Sequence, residues 1–170
     1  MAAPEAHSPV VTVERTRHFD AFYESEYPRL LRVLSAADVS ADDALQEAFT
    51  KAALDWSRIS QYDDAAGWVR HVAVRRILDE RRSSRRKRAA LERLEAVREP
   101  DATDRDATLD LAAAIGRLPA RQRVALSLFY LGGLTSAETG EAMGISAGAV
   151  RFHLHEARAR LREHLAVRDE

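Results

Sequence analysis

Thr135-Ser136-Ala137-Glu138-Thr139-Gly140-Glu141-Ala142-Met143-Gly144-Ile145-Ser146-Ala147-Gly148-Ala149-Val150-Arg151-Phe152-His153-Leu154-His155-Glu156-Ala157-Arg158-Ala159-Arg160-Leu161 spells two helices and the turn between them. The Thr135 hydroxyl, with the Glu138 carboxylate three residues on, fits a capping box that opens a short helix. Gly144 ends that helix after Met143, Ile145 plugs the turn and Ser146 caps the second helix. In this second, longer helix Val150, Leu154, Ala157, Leu161 and Leu165 fall on one stripe. A short and a long helix joined by a Gly-containing turn of about 3–4 residues is the pattern of a helix-turn-helix. In that arrangement the second helix enters the DNA major groove with its N-terminal residues at base edges. Ala147, Arg151, Phe152 and His155 are the candidate readers, and Arg158 and Arg162 the candidate phosphate contacts. An ordinary helical hairpin would leave the same residues as a solvated face, but cap, turn, plug and stripe all agree on the first reading.

Upstream of this pair the apolar spacing stays helical. Leu111, Ile115 and Leu118 share a face, and Pro119 stops the run and opens the next helix. Val124, Leu128 and Leu131 continue it to Gly132-Gly133. Residues 109–166 thus form one small helical domain. Between 92 and 108 acids rise and Pro100 interrupts, the composition of an extended linker. Residues 18–91 form a second helical domain. There Phe19, Phe22, Tyr23, Leu30, Leu31 and Leu34 fit one stripe, with Pro28 expected to kink or divide the helix. Ser40 or Asp42 is placed to cap a helix burying Leu45, Ala48, Phe49, Ala52 and Trp56, with Asp43, Gln46, Glu47, Thr50 and Lys51 on its polar side. A third helix starts near Asp63-Asp64 and buries Trp68, Val69, Val72, Ala73 and Ile77. Residues 1–17 are expected to form a disordered tail. No strand alternation and no repeat is visible. The expectation is an all-α protein of two small helical domains joined by an acidic linker.

The 170 residues suffice for that. With no cysteine, disulfides, thiol chemistry and Cys-ligated metals are excluded. No apolar run approaches the roughly 18–20 residues of a membrane span, and the N-terminus lacks a signal-peptide pattern. A cytoplasmic protein without membrane insertion is expected. The net charge of -1 conceals opposed segments. Residues 1–69 carry 6 basic and 12 acidic groups, 70–91 carry 9 and 2, 92–110 carry 3 and 7, and 111–170 carry 8 and 6. Such alternation suits several surfaces meeting differently charged partners, not a polycation that coats DNA.

The basic run Arg81, Arg82, Arg85, Arg86, Lys87, Arg88 could follow a phosphate backbone, with Trp56, Tyr62 and Trp68 near enough to stack bases. Core packing is the competing role for both tryptophans. No catalytic motif is present. His153 and His155, two apart on a helix, point about 200° from one another and cannot share a metal. No enzymatic activity, cofactor or metal is expected.

Two nucleic-acid surfaces and an acidic first unit resemble the extracytoplasmic-function (ECF) group of bacterial sigma-70 RNA polymerase sigma factors, over about residues 18–165. Ala41-Asp42-Asp43-Ala44-Leu45-Gln46-Glu47-Ala48-Phe49 looks like the family's core-binding helix. Trp68-Val69 through Asp79-Glu80-Arg81-Arg82 resembles the helix that melts and reads the minus-ten element. Leu118-Pro119-Ala120-Arg121-Gln122-Arg123, Gly144 to Arg151 and Ala157-Arg158-Ala159-Arg160-Leu161 resemble region four. The resemblance implies that Asp43, Gln46, Glu47 and Phe49 touch the polymerase clamp helices, although the stripe pattern buries Phe49. It implies that Arg75, Arg76, Arg82, Arg85 and Arg86 meet the minus-ten element and that the last helix reads the minus-thirty-five duplex. The helix before the helix-turn-helix would dock on the polymerase flap, and the linker would thread the RNA-exit path. An anti-sigma partner is implied as well.

This chain departs from the family pattern in places. Arg75 stands where Asn is frequent, and Phe152, His153 and Glu156 stand where small or basic residues are frequent. Glu156 would repel phosphate or accept from a cytosine amino group. Thr139-Gly140 replaces an Ile-Ala pair, and glycine in a helix costs about 1 kcal/mol against alanine. A second resemblance, of Ala149 to Leu154 to the reader of LuxR-type regulators, would imply a dimer binding palindromic duplex without polymerase. It leaves the Asp43–Phe49 stripe and the acidic linker unexplained.

Overall fold

The structure, a computed structural model, describes the backbone of residues 9–92 and 107–166 and the side chains of 18–87 and 111–164. All regular structure among the described residues is helical. In chain order the helices are α1 (Pro9–Ser35), α2 (Ala41–Leu54), α3 (Trp56–Ile59), α4 (Ala65–Glu92), α5 (Ala107–Arg117), α6 (Ala120–Leu126), α7 (Ser136–Met143) and α8 (Ala147–Ala166), with a π-helical turn, Ser127–Leu131, between α6 and α7. Residues 1–8 and 93–106, and with them most of the expected linker and part of the expected tail, lie outside the described residues.

The first half packs α2 against α1 and α4. Its core is Leu30, Val33 and Leu34 of α1, Leu45, Ala48, Phe49 and Ala52 of α2, Ile59 of α3, and Val69, Ala73, Val74 and Ile77 of α4. Two expectations for α1 are corrected. Pro28 does not divide the helix. A proline inside a helix costs about 3 kcal/mol, but Phe22 on one side of it and Leu30, Val33 and Leu34 on the other all pack into the same core. Residues 9–17 extend α1 instead of forming a tail, and Pro9 at the first position suits a helix start. Ser40 occupies the N-cap of α2 without capping it, because its hydroxyl and its N–H both donate to Asp38. The acids Asp42 and Asp43 in the first turn face the positive end of the helix dipole instead. Trp56 falls beyond a break at Asp55, in α3. Asp64 opens α4 by accepting from Gly67 N at 2.7 Å.

The second half follows the sequence pattern closely. The capping box is formed: Glu138 N donates to Thr135 Oγ1 and Thr135 N to Glu138 Oε2. Such a cap contributes about 1 kcal/mol. Gly144 ends α7 with φ +65°, a left-handed conformation that glycine adopts without the penalty of a Cβ. Ser146 Oγ accepts from Ala149 N at 3.1 Å and caps α8. Val150, Leu154 and Ala157 are buried against α6 and α7. Leu131, expected inside, is exposed: past Leu128 the π-helical turn widens the helix and rotates the stripe off the core.

The two halves are not separate bodies. Buried residues of α1, α2 and α4 and of α6, α7 and α8 belong to one hydrophobic cluster, with α7 lying against α4 and the π-helical turn against α1.

Candidate nucleic-acid interface

Burial of Val150, Leu154 and Ala157 turns the opposite side of α8 outward. Arg151, Phe152, His155, Arg158 and Arg162 are exposed there, and Ala147 is half-buried at the helix start. Phe152 is 61% exposed, and its only aromatic neighbour among the described residues is the adjacent His153 ring at 5.9 Å. A large apolar side chain so placed has a natural contact in the thymine methyl group of the major groove. Arg158 is less free than its neighbours: Nε donates to Tyr130 Oη at 2.8 Å and the guanidinium lies 5.6 Å from the Tyr130 ring centre. That anchor holds its cationic end at one place on the surface. His153 is half-buried, and burial, with Arg121 nearby, pushes its pKa down and favours the neutral imidazole. Glu156 is half-buried.

A second basic surface runs along α4. Arg75, Arg82, Arg85 and Arg86 are exposed, as is Arg76. Arg76, however, is tied to carboxylates: Nε donates to Glu47 Oε2 at 2.8 Å, and Nη1 lies 3.5 Å from Glu80. Lys51 donates to the other Glu47 oxygen at 2.7 Å. The hydrogen bonds from Lys51 and Arg76 keep the Glu47 carboxyl below its ordinary range. Glu47 and Arg76, which the sequence placed on different surfaces, therefore meet where α2 packs on α4. Arg81, at the head of the basic run, turns inward to Asp38 and leaves the charged face.

On the polar side of α2, Asp43 and Gln46 are exposed. Gln46 Nε2 donates to Asp42 at 3.3 Å, and Thr50 Oγ1 donates to the Gln46 carbonyl at 2.7 Å. Phe49 does not join them. It is 2% exposed and sits among the rings of Phe22, Tyr23 and Tyr27, with centroids 5.0–5.7 Å away. The implied contact of Phe49 with polymerase is corrected: its place on the α2 stripe points it into the core, where it shapes the helix that carries the polar residues.

The tryptophans also pack inward. Trp56 contacts Phe19 at 5.3 Å and Phe22 at 4.9 Å, and Trp68 lies against the core. Tyr62 stays exposed beside Arg58. Among the described residues no group of three His, Asp or Glu side chains could hold a metal, and no helix is long and apolar enough to cross a membrane.

Residues 22–87 match the family model of sigma-70 region 2, and residues 108–161 match that of sigma-70, region 4. The chain belongs to the sigma-70 family, in its ECF group. ECF RNA polymerase sigma factor SigF of Caulobacter vibrioides is 33% identical over 140 residues, covering 82% of this chain and 78% of SigF. Sigma factor SigM of Mycobacterium tuberculosis is 34% identical over 139 residues, covering 78% of this chain and 68% of SigM. Among solved structures, the sigma factor RpoE of Bartonella quintana, in complex with the anti-sigma factor NepR, superposes with a TM-score of 0.64 at 20% identity, over 89% of this chain and 99% of RpoE. That likeness extends to the fold. Region 2 is then α1 to α4, and region 4 is α5 to α8. The LuxR-type alternative leaves the whole region 2 match without a role.

Sequence reasoning missed Asp38, Arg123, Ser127 and His71, which join the two regions. Asp38 reads as a turn acid, Arg123 as one arginine among many. Only their placement in the packed structure gives them away.

Proposed function

We infer that this ECF sigma factor is a promoter-specificity subunit of RNA polymerase: it binds core enzyme and directs initiation at promoters that regions 2 and 4 recognise together. The observation that carries the reading is the order of parts in one chain. An exposed helix-turn-helix reader follows a helix with an exposed arginine face, and each lies in the matching family region. Asp43, Gln46 and Glu47 form the polar edge offered to the polymerase clamp helices. Arg75, Arg76, Arg82, Arg85 and Arg86 meet the minus-ten element and its phosphates. On α8, Ala147, Arg151, Phe152 and His155 read the minus-thirty-five duplex, and Arg158 and Arg162 hold its backbone. Region 4 docks on the polymerase flap.

The protein catalyses no reaction of its own, in keeping with its family, and works in the cytoplasm beside polymerase and DNA. An anti-sigma factor is a further partner, supported by the relative whose structure holds one. The test is transcription in vitro with the pure chain, core polymerase and genomic DNA of the source. Initiation at a discrete promoter set is expected, with only weak duplex binding by the chain alone. Failure to open any promoter would overturn the reading.

A further inference from the structure

Along α8, Arg151, His155, Arg158 and Arg162 follow one another at steps of four, three and four residues. That is the spacing of one helical face, and all four side chains are exposed. At 1.5 Å per residue, Arg158 lies about 10 Å along the helix from Arg151. With Arg151 at base edges in a major groove about 12 Å wide, Arg158 comes to the groove wall, where the phosphates run. Beside it stands Tyr130, which projects from the π-helical turn after α6 and is 55% exposed. The turn is closed by Gly132 N, which donates to the Ser127 carbonyl at 3.0 Å, and by Leu134 N, which donates to the Leu128 carbonyl at 3.2 Å. A Cβ on Gly132 would meet the Leu128 carbonyl oxygen at 2.5 Å, so glycine is what lets the backbone pass so closely. Phe129 packs on the core and backs the Tyr130 ring edge-on at 5.1 Å. Such π-helical interruptions occur frequently at functional sites.

Tyr130 Oη accepts from Arg158 Nε at 2.8 Å, and the guanidinium lies 5.6 Å from the ring centre. Counting donors shows what the pair can still hold. A phenol has one proton to give as well as lone pairs that accept, and a guanidinium has five N–H groups. With Nε spent on Tyr130, Arg158 keeps the four N–H groups of Nη1 and Nη2, and Tyr130 keeps its O–H. Among the described residues no side chain accepts from any of these. Arg162, one turn further on, donates Nε to the Arg158 carbonyl at 3.3 Å and adds a second cation nearby. The donors converge on an anion that must come close to the reading face of α8.

We propose that Tyr130 is a DNA-binding residue: with Arg158 it clasps one backbone phosphate of the minus-thirty-five duplex, the phenol donating to one oxygen and Nη1 or Nη2 to another. This deepens the sigma-factor reading and rests on it. Tyr130 acts twice in the clasp. By accepting from Nε it fixes the arginine before DNA arrives, so less rotamer freedom is lost on binding. By giving its own proton it adds a hydrogen bond to a charged oxygen, one of the stronger kinds. A hydroxyl releases no counterion, so its share of the affinity lacks the salt dependence that the Arg158 charge brings. The contact reads no base. It fixes where α8 sits on the duplex, and so which bases Arg151 and Phe152 meet.

The test uses the holoenzyme, this chain with core polymerase, on a promoter fragment that it opens. Affinity is measured at low temperature, before the strands part. Methylphosphonate, replacing one phosphate at a time along both strands of the minus-thirty-five element, locates the contact. Tyr130→Phe keeps the ring beside the guanidinium and removes only the hydroxyl, so far-ultraviolet dichroism and Tm should match wild type. Its binding to unmodified DNA should weaken about tenfold, the loss expected for one hydrogen bond to a charged group. The salt slope should stay as in wild type, whereas Arg158→Gln lowers it by about one. On DNA neutralised at the clasped phosphate, Tyr130→Phe and wild type should bind alike, and at every other phosphate the gap should persist. In an Arg158→Gln background the loss from Tyr130→Phe should shrink, since the two side chains share one ligand. Wild-type affinity in Tyr130→Phe, or a loss that no single phosphate replacement removes, overturns the clasp. A chain that opens no promoter with core polymerase refutes the sigma-factor reading itself, and the clasp with it.

Discussion

Asp38→Asn keeps the shape of a buried side chain and removes its charge. Five donor groups converge on the two Asp38 oxygens: two from Arg81, one from Arg123 and two from Ser40. Burial alone would push the carboxyl up, but the hydrogen bonds from Arg81 and Ser40 outweigh it and hold the pKa at about 2, against an ordinary 3.8. At about 1.36 kcal/mol per pKa unit, that difference stabilises the folded state by about 2 kcal/mol. Breaking a fully sealed ion pair costs about 3–5 kcal/mol. Arg81 is 39% exposed and can turn to water, so the expected loss stays near the smaller figure. A depressed pKa sets the sign: the contribution is complete above the unfolded value and lost as pH falls through the folded one. Urea unfolding of both chains should give a gap of about 2 kcal/mol at neutral pH, steady down to about pH 4 and closing between about pH 4 and pH 2. A gap under about 0.5 kcal/mol at neutral pH, or one that does not narrow in acid, would refute the reasoning.

Gly140→Ala sets helix propensity against packing. Propensity alone favours alanine by about 1 kcal/mol, but a Cβ there would meet the Ile145 carbonyl oxygen at 2.6 Å and Ala147 N at 3.3 Å. The turn that aims α8 would have to move, so thermal unfolding should show a net loss of about 1 kcal/mol or more, and a raised Tm would contradict it. Thr139→Val should stabilise by about 1 kcal/mol, since Thr139 Oγ1 is buried with no partner among the described residues; chemical denaturation would register a loss instead if the hydroxyl were satisfied. Arg151→Gln should relax minus-thirty-five specificity, whereas Arg158→Gln should weaken binding on all sequences and lower the salt slope by about one. Footprinting of the holoenzyme across a salt series separates the two, and identical behaviour would reject the division.

Much of the fold was legible because its signals are local. The capping box at Thr135, the left-handed Gly144 and the Ser146 cap each involve residues at most a few positions apart, and all three formed as expected. The stripe of α2 placed Phe49 correctly in the core, while the family resemblance, transferring a role by position, put it on the polymerase face. Departures came where distant packing outweighed a local preference. Pro28 and the first residues of α1 were read by local rules, but the helix runs through both, and around Pro28 its apolar side is buried in the core shared with α2 and α4. Gly140, a weak helix residue by propensity, sits where the next turn leaves no room for a methyl group.

By itself the sequence determined most of the helices and their ends, the face each buries and the two sigma regions, since periodicity and capping are written within one or two turns of chain. The linking of those regions was decided only in three dimensions. Arg81 lies 43 residues from Asp38, and Arg123 lies 85 from it. No periodicity connects positions so far apart. Asp38, a turn acid on paper, becomes the buried link between domains because burial makes its charge costly unless cations from both sides of the fold reach it.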